Sequence, residues 1–547
     1  MPSFPDPQLV HDAVTAELDR GDDDAAFALL QPVADELAAE TGARFRALVD
    51  RLPPEVWHRD PRIAAAMGRS FRAADAPRGA AGLAYFAAAE DALARTPEAP
   101  THCLAAVLVG HAGALRREGR LEAAGAKLAA AEALVESGLE GPLPAGMEVR
   151  ARCALERGVL ELHTGRHDRA RESLLTAQGL AAAHLGRAEQ VECAGALAVI
   201  DFIFGDTADA EALARTAREL SAGSAIARSG FAAPGYAAET LLAIDGGLLR
   251  RGDEVEHEFV EAAANTEWEP YAHLIAGSLR AVHGRPAEAL HLLGEADRGF
   301  RLWDVAGFGR DYTMLVRASQ LSVLGRGDEA WEQFASIVPY EHHVLCPGHY
   351  VASQLLAGGD VHGADGALRP CEELGDAHAR RSILHVRLLR GAIAAELGDR
   401  ATSDLNVDLA FIGMADSGSR APLRAVPAGI LSSLVAAALG REQSPGVRRL
   451  LEDAQRATDG AERRVEPLSR RERLVLAQVE RGATVAAIAA AMFISPNTVK
   501  THLRRIYRKL GVSTREEAIR RARTLGLHEI TRDSPVPRDA EDRGTYG

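Results

Sequence analysis

Apolar positions recur at helical spacing along most of this chain, and glycines interrupt them at near-regular intervals. Gly119, Gly165, Gly205, Gly252, Gly284, Gly325, Gly359, Gly398 and Gly440 are separated by steps of 32–47 residues. Each is followed by Arg or Asp and then by an Ala/Leu helical pattern, as in Gly119-Arg-Leu-Glu-Ala-Ala and Gly284-Arg-Pro-Ala-Glu-Ala-Leu. Glycine suits a tight turn, and alanine lets neighbouring helices approach closely. A two-helix unit of this length cannot bury its apolar face alone, so such units stack. The pattern predicts an all-α chain, with a tetratricopeptide-like helical solenoid over 67–440 and an N-terminal helical segment, 1–66, leading into it. A single bundle is the alternative, but one core rarely spans more than about 300 residues.

The pattern changes over 468–527. Ser469 with Glu472 three residues later makes a capping box, which satisfies two otherwise orphan N–H groups. Val475, Leu476 and Val479 face inward, and Gly482 ends this first helix. A short helix follows from Val485 to Met492, with Ile488 and Met492 inward. Ser495 as N-cap and Pro496 at the first helical position open a third helix. Its buried stripe is Val499, Leu503, Ile506 and Leu510. The opposite face carries Asn497, Thr501, Arg504 and Arg508, flanked by Lys500 and Arg505. Gly511 ends it, and Ser513 with Glu516 caps a fourth helix that runs to about Leu525. Residues 441–467 read as a linker, with a break at Ser444-Pro445-Gly446. Residues 528–547 read as a disordered tail.

Charge sharpens this division. The whole chain carries −14. Residues 468–526 carry +9, residues 527–547 carry −2, and residues 1–467 carry −21. Phosphates respond to the local field, so a basic island matters more than an acidic average. A compact helix with one apolar face and one Lys/Arg/Asn/Thr face suits the major groove of double-stranded DNA. Its long side chains reach base edges there, and flanking arginines hold phosphates. A solvated charged surface is the other reading of such a face. Its place as the third helix of a capped helix-turn-helix favours DNA.

At this point residues 468–526 resemble the LuxR-type helix-turn-helix of bacterial transcription regulators. The matching residues are Leu468-Ser469 with Arg471-Glu472, Ile488-Ala489, Ile494-Ser495-Pro496-Asn497-Thr498-Val499-Lys500-Thr501-His502, and Lys509-Leu510-Gly511-Val512. The resemblance implies Lys500, Thr501 and Arg504 as base-facing residues. It implies backbone contacts by Thr498, Arg505, Tyr507 and Lys509, to which Asn497 and Arg508 are added from the basic face. It also implies dimerisation through the last helix, Arg515–Leu525. Ala490 departs from the pattern, since a charged residue is usual there.

Residues 10–66 resemble the segment where MalT-type regulators enter their helical repeats, through Gly21-Asp-Asp-Asp-Ala-Ala, Leu52-Pro53-Pro54-Glu55-Val56 and Arg59-Asp60-Pro61-Arg62. Such regulators place an ATPase ahead of this segment. Its phosphate loop needs a lysine within Gly-x-x-x-x-Gly-Lys-[Ser/Thr]. The three lysines here are Lys127, Lys500 and Lys509, and none stands in that context. The expectation is a MalT-like layout without the ATP-binding module and without a nucleotide or other cofactor.

Weaker signals complete the reading. Residues 257–350 hold 11 of the 26 aromatic residues. Aromatics on a rigid scaffold suit a ligand, so Trp268, Tyr271, Trp303, Tyr312 and Trp331 are the candidate effector surface, with solenoid packing as the alternative. His342, His343, Cys346 and His349 lie close together, but no second ligand pair follows at a recognised spacing, and no metal site is assigned. The five cysteines are widely spaced and odd in number, which fits reduced thiols in a cytoplasmic chain. There is no secretion signal and no apolar run long enough for a bilayer. No nucleophile elbow, phosphate loop or paired-carboxylate frame points to catalysis.

The expected function is therefore sequence-specific DNA binding by a transcription regulator, as a homodimer on an imperfect palindrome. A small-molecule or protein effector on the repeats would set its activity, and RNA polymerase would be a partner if it activates. The alternative is a tetratricopeptide-like interaction scaffold with secondary DNA binding.

Overall fold

A computed structural model describes residues 6–519 other than 58–59, 74–81, 97–99, 139–142, 303–306, 325, 338–343, 375–376, 462–467, 511, 513 and 517. Every regular element among the described residues is a helix. The N-terminal segment starts with Pro7–Arg20, which Asp6 caps, and Asp23–Leu30, which Asp22 caps. Its own core joins Val14, Leu30, Leu37, Phe45, Leu48 and Ile63.

From Thr101 onward the helices pair. Thr101–Arg117 packs on Leu121–Glu136, Leu143–His163 on His167–His184, and Arg187–Phe204 on Thr207–Ser221. The same arrangement continues through Arg380–Glu396 with Arg400–Ser417. The apolar residues fall into several successive clusters instead of one core, as stacked units require. This is a tetratricopeptide-like solenoid, and a single bundle is excluded.

The chain reverses within two or three residues between paired helices. Gly119, Gly165, Gly205, Gly284, Gly359 and Gly398 do so with φ between 72° and 93°, where a side chain would be strained. Two of the expected turn glycines act differently. Gly252 lies inside Leu249–Ala263 against Leu279, and Gly247, with φ 75°, makes that turn instead. Gly440 has an ordinary φ of −73°. Gly325 lies outside the described residues. Elsewhere small residues permit close approach: a Cβ on Gly195 would sit 2.5 Å from the backbone nitrogen of Gly235 on a crossing helix.

The solenoid curves back on itself. Thr207 Oγ1 donates to the Ser417 carbonyl at 2.7 Å, and Arg420 N–H donates to the Asp245 carbonyl at 2.7 Å. A buried ionic network ties the earlier turns together. Arg116, 1% exposed, meets Glu156 at 2.9 Å and Glu192 at 3.4 Å and also pairs with Glu267, while Arg72 pairs with Glu192. These groups come from five different helices or turns. Burial alone would raise the Glu267 carboxyl, but Arg116 and Arg72 outweigh it and hold the group at about 2.

The expected linker over 441–467 is corrected. Pro445–Ala461 is a helix, and its Val447, Leu450, Leu451 and Ala454 are buried in the last solenoid cluster with Leu431 and Val435. Proline at the first helical position starts a helix instead of breaking the chain. Residues 462–467 and the tail 528–547 lie outside the described residues. None of the described helices is long and apolar enough to cross a membrane.

Candidate nucleic-acid interface

The C-terminal unit has its own core, formed by Leu468, Val475, Leu476, Val479, Ile488, Val499, Ile506 and Leu510. Its first helix is Arg470–Glu480. Ser469 and Glu472 form the expected capping box: Ser469 N–H donates to Glu472 at 2.7 Å, and Glu472 N–H donates to Ser469 Oγ at 3.3 Å. At the other end the Arg515 guanidinium donates to the Val479 carbonyl at 2.8 Å and the Ala483 carbonyl at 3.0 Å. Arg515 thereby ties the fourth helix to the turn that follows the first. Thr484 Oγ1 then accepts from Ala487 N–H at 3.2 Å and starts the short helix Val485–Ala491.

The third helix is Pro496–Leu510, and Ser495 Oγ accepts from Thr498 N–H at 3.0 Å. Between it and the short helix, Phe493 takes a left-handed φ of 53° with its ring 96% exposed. The fourth helix is described only in part: Arg515, Glu516, Ala518 and Ile519 are helical, with Ala518 buried in the core. The rest of the expected dimerisation helix to Leu525 lies outside the described residues.

Pro496–Leu510 has the two faces that the spacing requires. Val499, Ile506 and Leu510 are buried, and Leu503 is half-buried. Lys500, Thr501 and Arg504, the base-facing candidates, are all exposed. So are Asn497, Thr498, Arg505 and Arg508 among the backbone-contact candidates. The Thr501 hydroxyl donates to the Asn497 carbonyl at 3.0 Å, which orients its methyl and lone pairs outward. No acidic residue lies on this helix, so all the charge on its exposed face is positive. Tyr507 is half-buried, and burial raises its phenol, so it stays a neutral donor.

Lys509 stands apart from the expected set. Its Nζ lies 2.9 Å from Glu472, whose side chain is 3% exposed. Burial would raise the Glu472 carboxyl, but bonds from Lys509 and Ser469 outweigh it and hold the group below its ordinary value. Lys509 thus joins the third helix to the cap of the first, a use that helix periodicity alone does not reveal.

The aromatic residues pack differently from the expectation of an effector surface. Trp268 is 1% exposed, with its ring 5.2 Å from His163 and 5.2 Å from Tyr271. Tyr271 in turn meets Phe300 edge-on at 4.9 Å. Tyr312 is half-buried beside Phe308. Trp331 is 51% exposed, and Trp303 lies outside the described residues. Trp268 and Tyr271 thus pack between adjacent helix pairs, where large rings fill the gaps.

A cleft of about 370 Å³ opens elsewhere in the solenoid, lined by Asp206, Asp209, Arg380, Leu384, Arg387 and Asp416 among others. Its walls come from segments more than 170 residues apart, joined by the curvature of the solenoid and by the Arg380–Asp206 contact at 3.0 Å. No local sequence signal could have found it. His342 and His343 lie outside the described residues, and His349 stacks on His385 with ring centroids 4.6 Å apart.

Residues 466–522 match the bacterial regulatory proteins of the luxR family. Over 55 residues the chain is 51% identical to the probable transcriptional regulatory protein NarL of Mycobacterium tuberculosis (strain CDC 1551 / Oshkosh), covering 10% of this chain and 26% of that protein. Over 62 residues it is 40% identical to the HTH-type transcriptional regulator MalT of Serratia proteamaculans (strain 568), covering 11% of this chain and 7% of that protein. The similarity thus spans about a quarter of the one relative and less than a tenth of the other. Among solved structures, the Cut9–Hcn1 hetero-tetramer of APC/C aligns over 95% of this chain and 96% of that chain, at 12% identity and TM-score 0.40. A Rap protein complexed with competence and sporulation factor aligns over 75% and 98%, at 13% identity and TM-score 0.40. Likenesses at that level carry nothing about function. The similarity is thus one of the C-terminal unit: residues 466–522 are similar to the luxR family of bacterial regulatory proteins.

Proposed function

We propose that this chain is a cytoplasmic, sequence-specific transcription regulator that binds double-stranded DNA as a dimer. The observation that carries the reading is the acid-free, exposed face of Pro496–Leu510, held by a capped and separately packed helical unit. Lys500, Thr501 and Arg504 read base edges in the major groove. Asn497, Thr498, Arg505, Tyr507 and Arg508 hold the backbone on either side. Two copies place two such helices on successive turns of an imperfect palindrome, and the acidic solenoids stay clear of the phosphates.

The solenoid takes the regulatory part. A small molecule or a protein bound in the cleft around Arg387 and Asp416 would stabilise one curvature of the repeats and so shift how the two DNA-reading units are presented. RNA polymerase is then the partner of an activator. The test is sedimentation of the full chain on duplexes bearing one or two copies of a selected half-site. The expected result is one dimer on the paired site, with affinity lost when the half-sites are moved by half a helical turn. Equal affinity for both spacings would contradict dimeric readout.

A further inference from the structure

The helix Pro347–Gly358 begins at Cys346, its N-cap, and the next helix, Val361–Leu374, carries Cys371. His378 precedes the helix Arg380–Glu396. Cys371 and His378 are 25 and 32 residues from Cys346 in sequence, yet the three side chains converge. The Cys346 and Cys371 sulfurs are 3.3 Å apart, and donor atoms of all three residues lie within 4.8 Å of one another. Exposure is 1% for each cysteine and 5% for His378. We propose that Cys346, Cys371 and His378 bind a zinc ion that clips three consecutive helices of the solenoid together.

Three arguments support zinc. The first is distance. Zn–S bonds of about 2.3 Å and Zn–N bonds of about 2.0–2.1 Å in a tetrahedron put donor atoms roughly 3.5–3.8 Å apart. The observed spacing, 3.3 Å between the sulfurs and no more than 4.8 Å between any two donors, lies close to that geometry. The second is charge. Two thiolates and a neutral imidazole balance a divalent cation, leaving a neutral centre among Ala352, Leu356, Leu368 and Leu384. Monovalent copper would leave a net negative charge in the same apolar cluster, which is costly. The third is the histidine's other nitrogen. His378 Nδ1 lies 3.3 Å from the Ala379 carbonyl, and in the tautomer that donates there Nε2 is the ring nitrogen with the lone pair. Metal-ligating histidines are commonly held by such a bond.

Binding is a proton exchange without redox change: two thiols lose their protons, two Zn–S bonds form, and two protons leave to solvent. The fourth position falls to a donor from outside the triad. The clip sits two residues ahead of Arg380, on the helix that forms one wall of the cleft, so metal occupancy would fix that wall.

The test uses the full, untagged chain. Metal content is measured after zinc-supplemented expression, and apo protein is titrated with cobalt(II). The expected result is about one tightly held zinc per chain and thiolate-to-cobalt absorption in the near ultraviolet. That absorption should vanish in Cys371→Ser and Cys346→Ser and shift in His378→Ala. Folding of each variant is checked by circular dichroism, and the wild-type titration decides the matter if a variant fails to fold. Folded wild-type protein without zinc or a thiolate band would overturn the proposal. So would metal retained by both serine variants, or a Cys346–Cys371 disulfide found by peptide mapping under non-reducing conditions.

Discussion

Residues of the third C-terminal helix differ in what they touch, and this separates their expected effects. Lys500 and Arg504 project freely from the exposed face, so removing either should cost about 1–3 kcal/mol of discrimination at one base pair, measured with a panel of single-base operator variants. Arg505 stands to the side, and Arg505→Ala should weaken all sequences evenly and lower the salt slope by about 1. Lys509 faces Glu472 instead. Lys509→Met should destabilise the C-terminal unit by roughly 1–3 kcal/mol in urea, because a nearly buried carboxylate loses its charged partner. Glu472 titrates below its ordinary value in the folded state. Its contribution is complete above the usual carboxylate range and lost as pH falls through the lowered value. The acid dependence of that unit should therefore flatten in Lys509→Met, and an unchanged profile would detach Lys509 from the cap. The exposed face was legible from period and charge, and the resemblance singled out Lys500, Thr501 and Arg504 on it; the role of Lys509 was not legible, because the pair spans 37 residues.

Turns and caps decide how far an element could be read from sequence. Ser469, Thr484 and Ser495 all cap helices as their side chains suggest. Glycine spacing gave the right repeat length but misplaced one turn, since Gly247 and Gly252 both stand near an Arg or Asp-rich stretch and only Gly247 adopts positive φ. Pro445 was read as a break although proline also opens helices, and the helix it opens completes the solenoid's last cluster. Phe493 holds a left-handed φ with its ring in solvent, a conformation that costs an L-residue about 1–2 kcal/mol and that Asn tolerates better. Phe493→Asn should accordingly raise the stability of the C-terminal unit by about 1 kcal/mol, seen as a higher urea midpoint. A lower midpoint would mean that the ring packs on something in the free chain.

At the scale of the molecule, the stacked helices were visible in sequence and their curvature was not. The return that places Thr207 beside Ser417 depends on small angles summed over many pairs, and the cleft follows from it; the Arg116 network likewise joins residues up to 151 positions apart. Arg116→Met should destabilise the solenoid by about 3–5 kcal/mol, because three carboxylates then lose a shared buried cation. A second expectation concerns pH. Burial, with Arg116 nearby, lowers His163 to about 3, and burial lowers His167 to about 4. Both values lie below the unfolded 6.5, so their contribution is complete above that pH and is lost progressively as pH falls toward 4 and then 3. Through these two histidines denaturant midpoints should therefore decline below about pH 6.5, and less steeply in His163→Gln. The acidic solenoid and the basic reading helix together make one central claim, that this chain finds particular DNA sequences through Pro496–Leu510. The most direct test is selection of fragmented host DNA by the purified full chain, alongside a Lys500→Ala/Arg504→Ala variant. A sharp, two-fold-symmetric motif is expected for the native chain and none for the variant; the same motif recovered by both would rule out reading through Lys500 and Arg504.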